Sequence, residues 1–127
     1  PKLREIYDVV HEAQARGCKA IKAGITGREV DAVCRDYITE RGYGEYFIHG
    51  TGHGLGMEVH ELPYINHSND TPLPVGAVIT CEPGIYIEGL GGVRIEDDLV
   101  VTVEGSINLT SSLVASPPPM PAQRPSS

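Results

Sequence analysis

Residues 77–103 read AVITCEPGIYIEGLGGVRIEDDLVVTV, a succession of short apolar runs interrupted by proline and glycine. Runs of this length, rich in valine and isoleucine and bounded by turn residues, are typical of β-strands. The pattern favours an antiparallel sheet. The predicted strands cover residues 46–49, 57–60, 77–81, 85–87, 93–97 and 99–103.

The region before this sheet has the periodicity of helices. In residues 3–21 the apolar side chains recur at steps of three and four, so they share one helical face. A second helix is announced by a capping box, in which Thr26 and Glu29 satisfy backbone amides, and it is expected to end at Gly42. The sequence therefore predicts an α+β domain over residues 1–110, with two helices followed by an antiparallel, glycine-rich sheet.

The C-terminal residues 111–127 have a different composition. They read SSLVASPPPMPAQRPSS and contain five of the ten prolines of the chain. This segment has too little apolar surface to form a core, so it is predicted to be a disordered tail.

Charge and cysteine content exclude several classes of partner. Asp and Glu number 17 against 10 Lys and Arg, which gives a formal net charge of −7 and disfavours binding to nucleic acid or to anionic lipid. No apolar run is long enough to span a bilayer. Three cysteines without a C-x-x-C pair argue against a disulfide framework and favour the cytoplasm. Because the chain opens with Pro1 rather than methionine, we expect its beginning to be missing.

Histidines are concentrated in one glycine-rich segment. Four of the five lie between positions 49 and 67, and residues 49–61 read HGTGHGLGMEVHE. Alternating glycines allow a ligand or a metal to approach the backbone closely, although the same pattern also fits exposed histidines on a loop. The segment matches neither the dinucleotide fingerprint nor the phosphate-binding loop.

Two carboxylates in the predicted sheet are further candidates for a ligand or metal site. Glu82 follows an apolar strand, an unfavourable place for a charge unless it is neutralised or turned to solvent. Glu96 alternates with Arg94 and Asp98, which leaves open a simple surface ion pair with Arg94. An imidazole and two carboxylates that converge would instead form a hydrolytic site for Mn²⁺, Fe²⁺, Co²⁺ or Zn²⁺.

Three motifs in this order resemble the second half of the pita-bread metallopeptidases. They are HGTGHGLGMEVHE, TCEPGIYI at residues 80–87 and GGVRIEDDLVVT at residues 91–102. That family includes methionine aminopeptidase, aminopeptidase P, prolidase and creatinase, and the resemblance covers residues 1–110. EPGIYI followed by VRIEDD is more similar to the proline-specific members than to methionine aminopeptidase.

The resemblance implies a role for each matching residue. His53 would be a terminal metal ligand, Glu82 a ligand that also shuttles a proton, and Glu96 a carboxylate that bridges two divalent metal ions. Manganese is the expected metal, with cobalt, zinc and iron as alternatives.

Three further residues receive roles around these ligands. His60 would contact the substrate and stabilise the charge that develops during catalysis. His49 would line the substrate pocket, and Arg94 would support the ligands from outside the coordination sphere.

The implied activity is hydrolysis of the bond before proline in short peptides by a dinuclear-metal exopeptidase. The family's two aspartate ligands, which precede the helices, have no counterpart here, so the chain supplies three of five ligands and is expected to be an inactive fragment. Alternatives are methionine aminopeptidase and a non-catalytic pita-bread module that binds peptide or protein. A homodimer is left open.

Overall fold

The computed structural model describes residues 1–55 and 61–110. Two helices come first, α1 (Lys2–Ala20) and α2 (Gly27–Glu40), followed by a short 3₁₀ helix at Gly44–Tyr46. The predicted capping box is confirmed, because Glu29 N donates to Thr26 Oγ1 and Thr26 N donates to Glu29 Oε1. The strands are β1 (Gly52–Leu55), β2 (Glu61–Ile65), β3 (Val78–Cys81), β4 (Gly84–Ile87), β5 (Gly91–Arg94), β6 (Asp97–Val101) and β7 (Ser106–Asn108).

Every strand pairing in the described residues is antiparallel. Five strands form one sheet in the order β2-β1-β3-β6-β7, and β4 and β5 form a separate hairpin. Helix α1 packs against α2 and against the β4–β5 hairpin. Apolar side chains from both helices and from the strands, among them Ile6, Val30, Ile79 and Ile85, are fully buried and form one core. This arrangement confirms the predicted class of two helices followed by a glycine-rich antiparallel sheet.

The strand predicted at residues 46–49 is wrong. Its place is taken by the 3₁₀ helix and by irregular backbone. In this segment the carbonyl oxygens of Phe47 and His49 accept hydrogen bonds from the guanidinium of Arg35, a side-chain partner that does not depend on a neighbouring strand. The strand predicted at residues 57–60 lies outside the described residues, as does the predicted tail at 111–127.

The run predicted as one strand at residues 93–97 is divided in two. Strand β5 ends at Arg94 and β6 begins at Asp97, in a different sheet. Arg94, Glu96 and Asp98 therefore do not lie along one face of a single strand. Among the described residues, neither helix is long and apolar enough to cross a membrane.

Candidate metal centre

The centre of the candidate site is a contact between His53 on β1 and Glu82 directly after β3. Strands β1 and β3 are paired, and the Nε2 atom of His53 lies 3.3 Å from Oε2 of Glu82. The two side chains are only 17% and 13% exposed. The sequence therefore identified two residues, far apart in the chain, that the fold brings together.

The orientation of the His53 ring suits a metal ligand. Its Nδ1 atom lies 2.9 Å from the carbonyl oxygen of Gly54, which can only accept, so Nδ1 carries the proton in a neutral ring. Metal-binding histidines commonly anchor the second ring nitrogen in this way. Nε2 is then the nitrogen on the side of the Glu82 carboxylate, where its lone pair could bind a cation together with that carboxylate; a protonated ring would instead form an ion pair with Glu82.

Thr80 connects His53 and Glu82. Its hydroxyl oxygen accepts a hydrogen bond of 3.1 Å from the backbone N–H of His53 and donates one of 2.8 Å to Oε2 of Glu82. Thr80 is buried in β3. Sequence reasoning missed this residue, although period-two alternation from Glu82 places Thr80 on the same face of the strand.

Arg94 lies on the other side of Glu82. Its Nη1 atom is 3.8 Å from Oε1 of Glu82, while Oε2 faces His53 and Thr80. The hairpin explains this position, because Arg94 pairs in register with Gly84, two residues after Glu82. The structure therefore gives Arg94 a contact with Glu82.

Glu96 lies in the connection between β5 and β6 and is exposed as a whole residue. Partial burial of its carboxyl group is the main cause that raises its pKa to about 7, and the negative charges of Glu82 and Asp98 raise it further. The negative charge of Glu82 therefore acts on the carboxyl group of Glu96. Beside it, Oδ1 of Asp98 is buried and has no hydrogen-bond partner within the described part of the chain.

The chemistry of these side chains suits the binding of a divalent cation. The donors are an imidazole with its second nitrogen anchored, a carboxylate facing it and a further carboxylate with a raised pKa. Within residues 1–55 and 61–110, however, no group of three or more His, Cys, Asp or Glu side chains is close enough together to hold a metal ion. The joint convergence of His53, Glu82 and Glu96 stays a prediction, and His60 lies outside the described residues.

His49 is linked to the site through Tyr86. The hydroxyl of Tyr86 lies 2.7 Å from Nε2 of His49, and Nδ1 of His49 lies 2.7 Å from the carbonyl oxygen of Gly50. Burial is the main cause that raises the pKa of Tyr86, and the charge of Glu82 raises it further while Arg94 lowers it. Tyr86 is therefore close enough to Glu82 and Arg94 for their charges to act on its hydroxyl group. It was missed from the sequence, although it lies within the TCEPGIYI motif.

Comparison with known proteins agrees with the resemblance drawn from the three motifs. The family model described as metallopeptidase family M24 matches residues 1–103. The chain belongs to metallopeptidase family M24. Among other members of the family, the Xaa-Pro dipeptidase of Lactobacillus helveticus is 57% identical over 104 residues, which are 82% of this chain and 28% of that protein.

Solved structures of family M24 confirm the fold. The Xaa-Pro dipeptidase from Bacillus anthracis matches with a TM-score of 0.85 and 62% sequence identity, over 87% of this chain and 31% of that one. The prolidase from Pyrococcus furiosus matches with a TM-score of 0.86 and 53% identity, over 87% of this chain and 33% of that one. The chain thus spans about a third of the length of the relatives it matches.

Proposed function

We propose that this chain forms part of the catalytic domain of a dinuclear-metal exopeptidase that hydrolyses the bond before proline in short peptides. The observation that carries the proposal is the buried contact between His53 Nε2 and Glu82 Oε2. Membership of family M24 and the names of the relatives, Xaa-Pro dipeptidase and prolidase, support the reaction class.

In this proposal His53, Glu82 and Glu96 hold two divalent cations, with manganese as the metal. Bound cations lower the pKa of a water molecule and polarise the scissile carbonyl, which supplies a hydroxide nucleophile near neutral pH. Cobalt, zinc and iron are alternatives that metal analysis of the purified protein would distinguish from manganese.

The other side chains bind, orient and move protons. Glu82 carries the proton that passes between the nucleophile and the leaving amine, and Arg94 holds its Oε1 atom in place. His49, oriented by Tyr86, lines the substrate pocket. On the resemblance alone, His60 contacts the substrate and stabilises the tetrahedral oxyanion.

We propose the cytoplasm as the compartment. The three cysteines, Cys18, Cys34 and Cys81, are all free thiols in the structure. Free thiols and the absence of a disulfide among them fit a reducing environment.

The experiment compares the chain alone with a chimera. In the chimera, residues 1–110 replace the matching segment of the Lactobacillus helveticus Xaa-Pro dipeptidase, and both proteins are assayed with Mn²⁺ on Met-Pro and Met-Ala. We expect the chimera to cleave Met-Pro faster, and its Glu82→Gln variant to lose turnover. The chain alone, which has three of the five implied ligands, is expected to show little turnover because two-metal activation needs both ions to be held.

Two outcomes would favour the alternatives. Faster cleavage of Met-Ala would indicate a methionine aminopeptidase. A folded, metal-loaded chimera that cleaves neither dipeptide would support a non-catalytic binding module.

A further inference from the structure

A buried ion pair on α2 has no role in the function proposed above. Arg35 Nε lies 2.9 Å from Oδ2 of Asp31, and Nη2 lies 3.3 Å from Oδ1, so the pair is bidentate. Asp31 is 1% exposed. A carboxylate this deeply buried is costly unless all of its partners are in place.

The guanidinium of Arg35 also reaches the segment that precedes β1. Nη1 donates to the carbonyl oxygen of Phe47 and Nη2 donates to that of His49, each at 2.9 Å. The same group lies 4.1 Å from the centre of the Phe47 ring. Arg35 therefore holds the backbone on both sides of residue 48. This segment directly precedes Gly50 and Gly52, which have no side chains that could hold the backbone in place.

Asp31 reaches the same segment two residues later. Its Oδ1 atom accepts a hydrogen bond of 2.8 Å from the Thr51 hydroxyl and a longer one of 3.1 Å from the backbone N–H of Thr51, which also donates to the carbonyl oxygen of Ile65 at 2.7 Å. Thr51 is completely buried, and its carbonyl oxygen accepts a bond of 2.6 Å from the backbone N–H of Glu82. One residue thus links α2 to the backbone of a candidate metal ligand.

We infer that Asp31, Arg35 and Thr51 are positioning residues, a clamp that sets His49, His53 and Glu82 relative to one another. The inference rests on the proposed function for its catalytic meaning, but the clamp itself can be tested without metal or substrate. Arg35 holds the backbone of His49, Thr51 lies two residues before His53, and Thr51 also bonds Glu82. Loosening any member should release all three site residues together while the helices stay packed.

The test uses four variants of the full 127-residue chain, of which two disrupt the clamp and two are controls. Arg35→Lys keeps the charge but not the forked set of donors, and Thr51→Val keeps the shape but removes the hydroxyl donor. Thr51→Ser restores that donor. The matched control is Arg16→Lys, because Arg16 forms the same i, i+4 contact with Glu12 at 2.8 Å on an exposed helix face.

The first measurement is amide hydrogen exchange of the metal-free chain by NMR. We expect exchange at Thr51 and Glu82 to become about tenfold faster in Arg35→Lys and Thr51→Val, since a hydrogen bond to a charged group is worth about that factor. The amide of Val10, buried in α1, should keep its rate. Thr51→Ser and Arg16→Lys should resemble the parent chain.

Two results would overturn the inference. Equal acceleration at Val10 and at Thr51 would show that the pair serves global stability alone, and unchanged exchange at Thr51 and Glu82 would show that it does not hold the segment.

The second measurement is kinetic and uses the chimera. If the clamp positions the reacting groups, Arg35→Lys should lower kcat about tenfold with KM nearly unchanged, because misplaced groups cost transition-state stabilisation. A chimera that is inactive before any substitution would count against the proposed function, whereas the exchange rates would still decide whether the clamp exists.

Discussion

His53 on β1 and Glu82 after β3 face each other across a strand pair, with Nε2 and Oε2 separated by 3.3 Å. The geometry has a specific chemical meaning, because the other ring nitrogen of His53 is directed at a backbone carbonyl oxygen. The remaining nitrogen and the carboxylate then present lone pairs to a common point. A cation placed there would bind both groups, and Thr80 bonds the backbone of His53 and the carboxylate of Glu82.

The first prediction concerns metal binding by this pair. Glu82→Gln in the full chain should weaken Mn²⁺ binding at least about tenfold, because it replaces an anionic oxygen donor with a neutral amide. Isothermal titration calorimetry measures the change. Glu88→Gln is the matched control, since Glu88 lies on the turn after β4. Equal affinity in the two variants would remove Glu82 from the ligand set.

The second prediction concerns pH and Glu96. The carboxyl pKa is raised from 4.5 to about 7 in the folded, metal-free chain, mainly by burial and then by the charge of Glu82. A raised carboxyl pKa means that the folded state favours the protonated form. The contribution of Glu96 to the free energy of unfolding is therefore complete below pH 4.5 and is lost as the pH rises through about 7.

Urea unfolding in the presence of EDTA measures this effect. The free energy of unfolding of the parent chain, taken relative to Glu96→Gln, should fall between pH 4.5 and 7 and stay level above. Because Glu96 is exposed as a whole residue, solvent screening keeps the change small. If the free energy of unfolding of the parent chain, taken relative to Glu96→Gln, rose with pH, the prediction would be contradicted. Mn²⁺ affinity should increase over the same range, since metal and proton compete for the carboxylate.

Local signals in the sequence were sufficient for most of the fold. The capping box at Thr26 and Glu29 is formed by neighbours in the chain, and the apolar runs before Glu82 and after Glu96 carry clear β-propensity. Strand β1 was missed because its residues 52–55 read GHGL, and glycine has low intrinsic preference for strands. The strand at these positions depends on a tertiary contact, because Gly52 lies against the backbone of Thr80, where no larger residue fits.

The candidate site was predictable only in part for the same reason. Motif resemblance identified His53 and Glu82, whose contact the fold then produces. The contact of Arg94 with Glu82 depended on where β5 ends, whereas alternation along one predicted strand had only suggested an ion pair with Glu96 as one possible interpretation. The clamp could not be predicted from the sequence, because its Asp31 on a helix bonds Thr51, which lies 20 residues further along the chain.

The third prediction concerns a buried network beside Glu96. Gln14 on α1 donates a hydrogen bond of 2.6 Å to Oδ2 of Asp97, and Thr110 donates one of 2.7 Å to Oδ1. Gln14→Leu leaves one oxygen of a buried carboxylate without its donor, so it should lower the free energy of unfolding by about 1–3 kcal/mol. Arg4→Gln, which breaks an exposed ion pair on the same helix, should cost about 0–1 kcal/mol. Equal costs in urea unfolding would contradict the prediction.

The last prediction concerns the close approach of β1 to β3 at Gly52. A Cβ atom at this position would overlap the carbonyl oxygen of Thr80 and lie 2.8 Å from its hydroxyl oxygen, which is the atom that bonds His53 and Glu82. The backbone of Gly52 does not have a positive φ, so any effect of Gly52→Ala comes from this overlap and not from backbone strain. We expect a loss of about 1–3 kcal/mol in the free energy of unfolding, together with weaker Mn²⁺ binding.

Gly105 provides the matched control for this substitution. It also lacks a positive φ, and a Cβ atom there would meet nothing within 4 Å, so Gly105→Ala should be neutral or stabilising by up to about 1 kcal/mol. Urea unfolding and calorimetry with Mn²⁺ are to be run on both variants. If Gly52→Ala lost stability but bound Mn²⁺ like the parent chain, Thr80 would be a packing residue alone. If it changed neither quantity, the tight contact between β1 and β3 would not be what sets His53 against Glu82.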